Sequence, residues 1–476
     1  MTKRIISQEI MDDIGDATRE VLSEQDPANP VTTPIKVKEL STAIRSIPYG
    51  YYGVRKDRSV SNTALTRLGS PELHRKLPIQ SNMRRCVVAD DGTVAYYLHP
   101  SDSRYKENGD PVKLDGTDGQ VMVEIPEHWM KIEIFTDSTT GHVMEERKIS
   151  EFNLPGYTKV NKCYYSAFEA VLDRTNNKLA SVINTTAQYR GGNNTNWDGT
   201  YRSLLGMPAT SISLTNFRTY AHNRGTGWQC HDNNIYEIVC NLYIIEYANT
   251  NCQLAFNASP IASGEWAGCK QGGLGSGVTT IGDSTWSSYN SYNPLVPCGT
   301  TLSLGNNTGT VSYGVTASNG TTLITFSVPS YRGIENLFGH IWKHTDAILV
   351  NIQSAGAGGK SMVYKCTDPT KYSSTLTADY EYVGDEARSN GWTKNVLTPC
   401  MVCSEVGADS STGYADYHYT NIPSSGSSLR AVLFGGNAHY GANAGFAYSY
   451  SNYAPSSTTA RIGSRLCFTP PVTESE

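Results

Sequence analysis

The sequence predicts an α+β fold made of many short strands and long loops, with few helices. Three observations carry that expectation. Tyrosine is abundant, at 30 of 476 residues, and Gly, Ser, Thr and Asn are high while Leu is scarce, a balance that suits strands and turns better than helix packing. Alternating apolar runs closed by Asp-Gly turns recur through the first third of the chain. One extended helical pattern, Asn234 to Ala248, stands apart from them.

In chain order, residues 1 to 26 place Ile10, Ile14, Val21 and Leu22 near helical spacing, with Asp12, Asp13, Asp16 and Glu20 on other faces. The prolines from Pro27 to Pro34 end that helix. Val37, Leu40, Ile44 and Ile47 predict a second short one before Pro48. Helices this isolated bury their apolar stripes only against another body, so residues 1–48 are expected to form an attachment or assembly segment. From 49 to 150 the pattern turns to strands. Cys86 to Val88 and Val94 to Leu98 flank Asp90-Asp91-Gly92, a hairpin signal, and Val121 to Ile125 and Met130 to Phe135 follow a turn at Asp118-Gly119. A small β-rich domain is expected there. Residues 151–476 form the third region, opening with Tyr164-Tyr-Ser-Ala-Phe-Glu-Ala170. Its helix carries Ile235, Ile238, Val239, Leu242, Ile245 and Tyr247, a face broad enough for burial on most sides. Residues 264–330 are rich in Gly, Ser, Thr and Asn, although Thr322 to Val328 alternates like a strand, which predicts a loop-rich insertion within one domain.

Composition narrows the function. Charged residues are 17% of the chain and the net charge is -5, so the basic field that a phosphate backbone demands is missing and nucleic acid is not an expected partner. No stretch approaches the roughly 18 to 20 apolar residues of a membrane span, and the first residues lack an apolar leader, so cytoplasmic synthesis without membrane insertion is expected. In that compartment the 11 cysteines read as reduced, buried small hydrophobes.

The chemical motifs are incomplete. Cys400 and Cys403 have redox or zinc spacing but supply two ligands of four. His340 and His344 are spaced as in H-E-x-x-H, but Ile341 stands where the general base belongs. No phosphate-binding or nucleophile motif falls on a strand-to-helix junction, and Asp90 and Asp91 lie where turns favour Asp for backbone bonding. No catalytic constellation, cofactor or metal is therefore expected.

The last forty residues are the most informative. Arg430-Ala-Val-Leu-Phe-Gly-Gly436 reads as an apolar strand ending in a glycine pair. The run after it is rich in Asn, Tyr, Ser, Ala and Gly, with almost no Leu, Ile or Val, so it is not expected to be a core element. Tyr440, Phe446, Tyr448, Tyr450 and Tyr453 crowd into it. Tyr offers contact area at low rotamer cost and Ser, Asn and Gly offer adaptable hydrogen bonding, which predicts a binding face. Gly435 and Gly436 fit a turn that needs positive φ or close backbone approach.

Arg430 to Gly436, the polar run and the closing Gly463-Ser-Arg465 resemble the variable region of the phage major tropism determinant family, the target proteins of diversity-generating retroelements. Upstream, Arg224-Gly-Thr-Gly-Trp228, Leu242-Tyr-Ile-Ile-Glu-Tyr247 with Gln253, and Tyr331-Arg-Gly-Ile-Glu-Asn336 to Trp342 are similar to segments of the same fold. Tyr51-Tyr-Gly-Val-Arg55, Leu73 to Gln80 and Asp115 to Pro126 resemble the domain that precedes it. The resemblance implies a C-type lectin-like domain over residues 151–476, with its variable region at about 430–468. It also implies a homotrimer in the virion, at the phage tail tip or fibre, which attaches to other tail proteins through the N-terminal segment and binds a bacterial cell-surface receptor, protein or glycan. Calcium motifs of sugar-binding C-type lectins are missing.

In this family template adenines are randomised during reverse transcription. His439, Tyr440, Tyr450, Tyr453, Ser457, Thr459 and Arg461 can each be reached from an Asn codon by changing adenines, and these seven are expected to be diversified contacts. Asn437, Asn443 and Asn452 accompany them, either as scaffold or as diversified positions that remain Asn. Tyr448 is either a contact or a ring packed beneath the loop. Alternatives to the receptor-binding reading are a virion decoration protein that does not vary and an enzyme. The enzyme reading comes from Gly333 to Asp346, distantly similar to formylglycine-generating enzymes, which depend on a cysteine pair where Cys467 stands alone. A bacterial surface adhesin is also conceivable, but an export signal is expected for one.

Overall fold

A computed structural model describes residues 50–192, 202–257 and 259–471. The two helices expected before Pro48 lie outside the described residues. Residues 50–476 cluster as one unit by their contacts, and strands far outnumber helices.

The helix expected at 234–248 spans Asn233–Tyr247. The Asp232 carboxylate caps its start by accepting from Asn234 N at 2.7 Å, and Ala248 ends it in the left-handed region at φ 49°. Nearly every residue in it is buried, as its wide apolar face predicts. Tyr236 packs against Phe434 at 5.2 Å between ring centroids, and Tyr243 against Phe446 at 5.2 Å. The helix thus lies directly beneath the strands that frame the C-terminal segment.

Those strands belong to the largest sheet. Its central order is Ser361–Lys365, Trp342–Gln353, Ser427–Gly435, Gly445–Ser451, Tyr417–Thr420 and Gly391–Val396, with Ile462–Gly463 pairing parallel to the start of Trp342–Gln353. Gly445–Ser451 is buried along its whole length, which corrects the expectation that the polar run contains no core element. Small residues alternate with rings there. Phe446 reaches the helix, Tyr448 and Tyr450 pack on Trp342, and Ala447, Ser449 and Ser451 are fully buried between them.

The hairpin at Asp90-Asp91-Gly92 forms as expected, pairing Arg84–Val88 with Val94–Tyr97. The separate 49–150 domain does not. Gln120–Ile125 pairs on one side with Arg84–Val88 and on the other with Cys163–Ser166, which in turn pairs with Leu466–Phe468. One six-stranded sheet therefore crosses position 150, while His128–Thr136 joins Val143–Ser150 in another. The buried, unbroken apolar face of Gln120–Ile125 needs a neighbour on each edge, and strands from both ends of the chain supply them.

The 264–330 stretch is more ordered than a loop-rich insertion. It holds a helix, Asp283–Asn290, and a hairpin of Gly309–Thr316 with Thr322–Tyr331, around its own apolar cluster of Val278, Ile281, Trp286, Leu295, Val296, Phe326 and Val328, which Ala438 joins. His340 ties this body to the centre. Its Nε2 accepts from Leu295 N at 2.9 Å and Val296 N at 3.2 Å, which leaves the proton on Nδ1, 2.5 Å from Glu169 Oε2. Burial alone would raise the Glu169 carboxyl, but Lys343 Nζ at 3.0 Å and His340 outweigh it and hold the group at about 2.

Close packing beneath the sheet gives a direct check. A Cβ on Gly445 would lie 1.8 Å from Asp416 Oδ1, and the other oxygen of that carboxylate accepts from Ala447 N at 2.8 Å. Gly445→Ala is expected to lower unfolding free energy by about 1 to 3 kcal/mol, measured by chemical denaturation; an unchanged midpoint would contradict this packing.

Candidate functional site

The C-terminal segment leaves the Ser427–Gly435 strand through Gly435 and Gly436, with φ of 99° and 77°. Both values lie in the region that favours glycine, and a Cβ on Gly436 would stand 2.7 Å from the Ala444 side chain. Positive φ and close approach are thus both required, as the glycine pair suggested.

The next turn, residues 437–444, is held by its main chain. Ala438 N donates to His340 O at 3.0 Å, Ile281 N donates to Ala438 O at 3.0 Å, and Gly441 N donates to Thr279 O at 2.7 Å. The Gln253 amide donates to Ala442 O at 2.9 Å, to Gly441 O at 3.3 Å and also to Ala444 O.

Residues 453–461 repeat the device at every second position. The carbonyls of Tyr453, Pro455, Thr459 and Arg461 accept from the backbone N–H groups of Ala431 (2.9 Å), Leu214 (3.0 Å), Ser211 (3.0 Å) and Trp342 (2.9 Å). Ser457 O accepts from the His344 ring Nε2 at 3.1 Å. Such bonds contribute about 1 kcal/mol each, and none depends on which side chain the segment carries.

The side chains collect over Trp342, which is fully buried. Tyr440, Tyr448 and Tyr450 pack on its indole at 5.3, 4.8 and 5.0 Å. His439 stacks on Tyr440 at 4.4 Å, and Tyr453 on Tyr450 at 5.7 Å. Of the expected contacts, His439, Tyr440, Asn443, Asn452, Tyr453, Ser457, Thr459 and Arg461 are half-buried. Tyr450, at 9% exposure, is buried with the rest of its strand, which corrects its expected place on the surface. Two further positions are corrected. Tyr448 is 1% exposed, wedged between Trp342, Tyr417 and Tyr440, so its ring packs beneath the surface. Asn437 is wholly buried; its carbonyl accepts from Tyr440 N at 3.2 Å, closing the turn from within.

Residues outside the segment complete the surface. Tyr417 touches Tyr448, and Tyr419 stacks on Tyr450 at 4.7 Å with planes 13° apart. From the 264–330 body, Tyr292 lies under the Arg461 guanidinium at 3.8 Å, and Asp283 stands 3.6 Å from His439 and 3.7 Å from Arg461. Sequence reasoning missed these. The Tyr417-His-Tyr419 alternation was the one local signal; nothing local links positions 283 and 292 to 461.

Electrostatics follow from burial. Burial pushes the His439 imidazole below its usual range, against the pull of Asp283, and pushes the Tyr440 phenol up. His344 is fully buried and held to about 4 by desolvation, so it is neutral and its Nε2–H donates to Ser457 O. His340 and His344 thus serve the scaffold.

Cys467 has Cys163 and Cys230 within electrostatic reach. All three are buried free thiols whose ionisation burial pushes up, to about 12 for Cys163, far from the accessible thiolate that cysteine chemistry uses. Among the described residues no group of three or more His, Cys, Asp or Glu is placed to hold a metal ion, and no helix is long and apolar enough to cross a membrane.

No protein-family model matches the chain, and no curated protein matches it. Among solved structures it is similar to the Major Tropism Determinant U1 variant, at 14% identity over 81% of this chain and 71% of that one, with a TM-score of 0.25. The M1 variant is similar at 15% identity over the same shares, TM-score 0.26. PvdO from Pseudomonas aeruginosa is similar at 10% identity over 75% of this chain and 99% of that one, TM-score 0.29.

The His344 contact sets a pH dependence. In the unfolded chain the imidazole titrates near 6.5, so below that pH the unfolded state takes up a proton that the folded state refuses until about 4. Relative to His344→Gln, which keeps an N–H donor but cannot titrate, the native protein is expected to lose about 2 kcal/mol of stability between pH 7 and pH 5. Parallel denaturation curves check this; a constant difference between the two proteins would contradict it.

Proposed function

We propose that the chain is a non-enzymatic phage receptor-binding protein of the tail tip or fibre, whose C-terminal lectin-like domain displays a patch diversified by a retroelement to a molecule on the bacterial surface. The observation that carries this reading is the way the segment is held. The carbonyls of residues 453, 455, 457, 459 and 461 bond to donors on other strands and loops, while the side chains of Tyr453, Ser457 and Thr459 make no hydrogen bond to any described residue. A backbone fixed independently of its side chains lets their identity change without refolding, which is what a face that must alter its partner requires.

Surface composition supports the same reading. Tyrosines, asparagines, a histidine and an arginine lie together above a rigid indole, a combination suited to contact area plus hydrogen bonding. The motif resemblance from Arg430 to Arg465 supports a phage-tail reading, in which a homotrimer attached through residues 1–48 to other tail proteins would present several copies. Repetition on a virion would raise avidity by roughly two to four orders of magnitude over one site.

Tyr440 and Tyr450 pack on Trp342, so their truncation also disturbs the support. Tyr453 and Arg461 lie at the rim and test recognition more cleanly. The double variant Tyr453→Ala, Arg461→Ala is expected to abolish adsorption of phage to host cells while the melting temperature moves by no more than a few degrees. Adsorption at the native rate would overturn the receptor-binding assignment.

A further inference from the structure

We propose that Tyr419 and Asn421, outside the C-terminal segment, contact the ligand directly and form a constant half of the binding face beside the changeable half. This deepens the receptor-binding reading above and rests on it. The Tyr417–Thr420 strand runs parallel to Gly445–Ser451, with Tyr419 in register with Tyr450. Tyr419 stacks on Tyr450 at 4.7 Å and 13°, and Tyr453 on Tyr450 at 5.7 Å and 25°. Three nearly parallel rings form a short stack whose inner faces cover one another. Along its edge the stack offers hydroxyls.

Those hydroxyls are uncommitted. Neither Tyr419 nor Tyr453 donates or accepts a side-chain hydrogen bond among the described residues, although both rings are half-buried. At the end of the stack Asn421 Nδ2 donates to Asn452 Oδ1 at 2.7 Å, and Asn452 Nδ2 reaches Tyr450 Oη at 3.3 Å. That chain leaves the exposed Asn421 Oδ1 open as an acceptor. A partner closing over this edge strips water from two phenols and an amide, so it must return hydrogen bonds to them or lose affinity. The groups that fit this edge are hydroxyls and amides, which can bond the two phenols and the Asn421 carbonyl oxygen.

The division has a consequence for specificity. Changes at 450 and 453 replace two members of the stack, while Tyr419 and Asn421 lie outside the variable region and keep presenting one hydroxyl and one amide. Every version of the face would share that polar contact, and the variable positions would discriminate among ligands that satisfy it.

The test uses the full-length protein, fluorescently labelled and titrated onto intact host cells, with Tyr419→Phe, Asn421→Ala and Tyr453→Ala compared with the native chain. Tyr419→Phe keeps the ring stack and removes only the hydroxyl, so a purely packing role would leave its binding unchanged. The expected result is affinity about tenfold weaker for Tyr419→Phe and for Asn421→Ala, with melting temperatures at the native value. If Tyr453→Ala weakens binding while both other variants keep native affinity, the constant half is overturned and the receptor-binding reading stands. If all three keep native affinity, both fall.

Discussion

The alternate carbonyls of residues 453–461 are the constraint on which the rest of the site depends. Each is held by a donor from elsewhere in the fold: Ala431 at the paired strand, Leu214 and Ser211 at the start of the Leu214–His222 helix, Trp342 at the head of its strand, and the His344 ring. Because the bonds run main chain to scaffold, the path of the segment is held by atoms that every residue carries. The 437–444 turn is secured in the same manner, with the Gln253 amide spanning three of its carbonyls.

Stiffness of the support comes from what lies below. The sheet rests on a helix buried nearly all round, and the Glu169–Lys343 ion pair, with His340 hydrogen-bonded to Glu169, is fully enclosed. Removing one member would leave a buried charge without its partner, a heavy penalty, so the trio specifies one arrangement of the centre and the 264–330 body. That body supplies Asp283 and Tyr292 to the rim. A stretch with the composition of a loop thereby becomes one wall of the site.

Much of this was legible in the sequence. The Asn233–Tyr247 helix announced itself through an apolar face too wide for a surface helix, the Cys86 hairpin through its Asp-Asp-Gly turn, and the turn after the Ser427–Gly435 strand through its glycine pair. Burial within that run was not legible. Gly445–Ser451 carries no Leu, Ile or Val, yet it is a core strand, because Phe446 packs toward the helix, Tyr448 and Tyr450 pack on Trp342, and Ala or Ser fills the positions between. Tyr448 and Tyr450 differ in exposure though both are tyrosines two residues apart, and only their neighbours Trp342, Tyr417 and Tyr419 decide it. The same holds for the sheet that crosses position 150, whose partners lie over 300 residues apart in the chain.

If the face is diversified, each of its residues combines a fixed backbone with an interchangeable side chain. The most direct test draws His439, Tyr453, Ser457, Thr459 and Arg461 at random from the residues that adenine changes in an Asn codon allow, and measures the melting temperature of several dozen purified variants. The account predicts that most fold and melt within a few degrees of the native protein. Loss of folding in most of them would show that the side chains, and not the main-chain bonds, hold the segment in place.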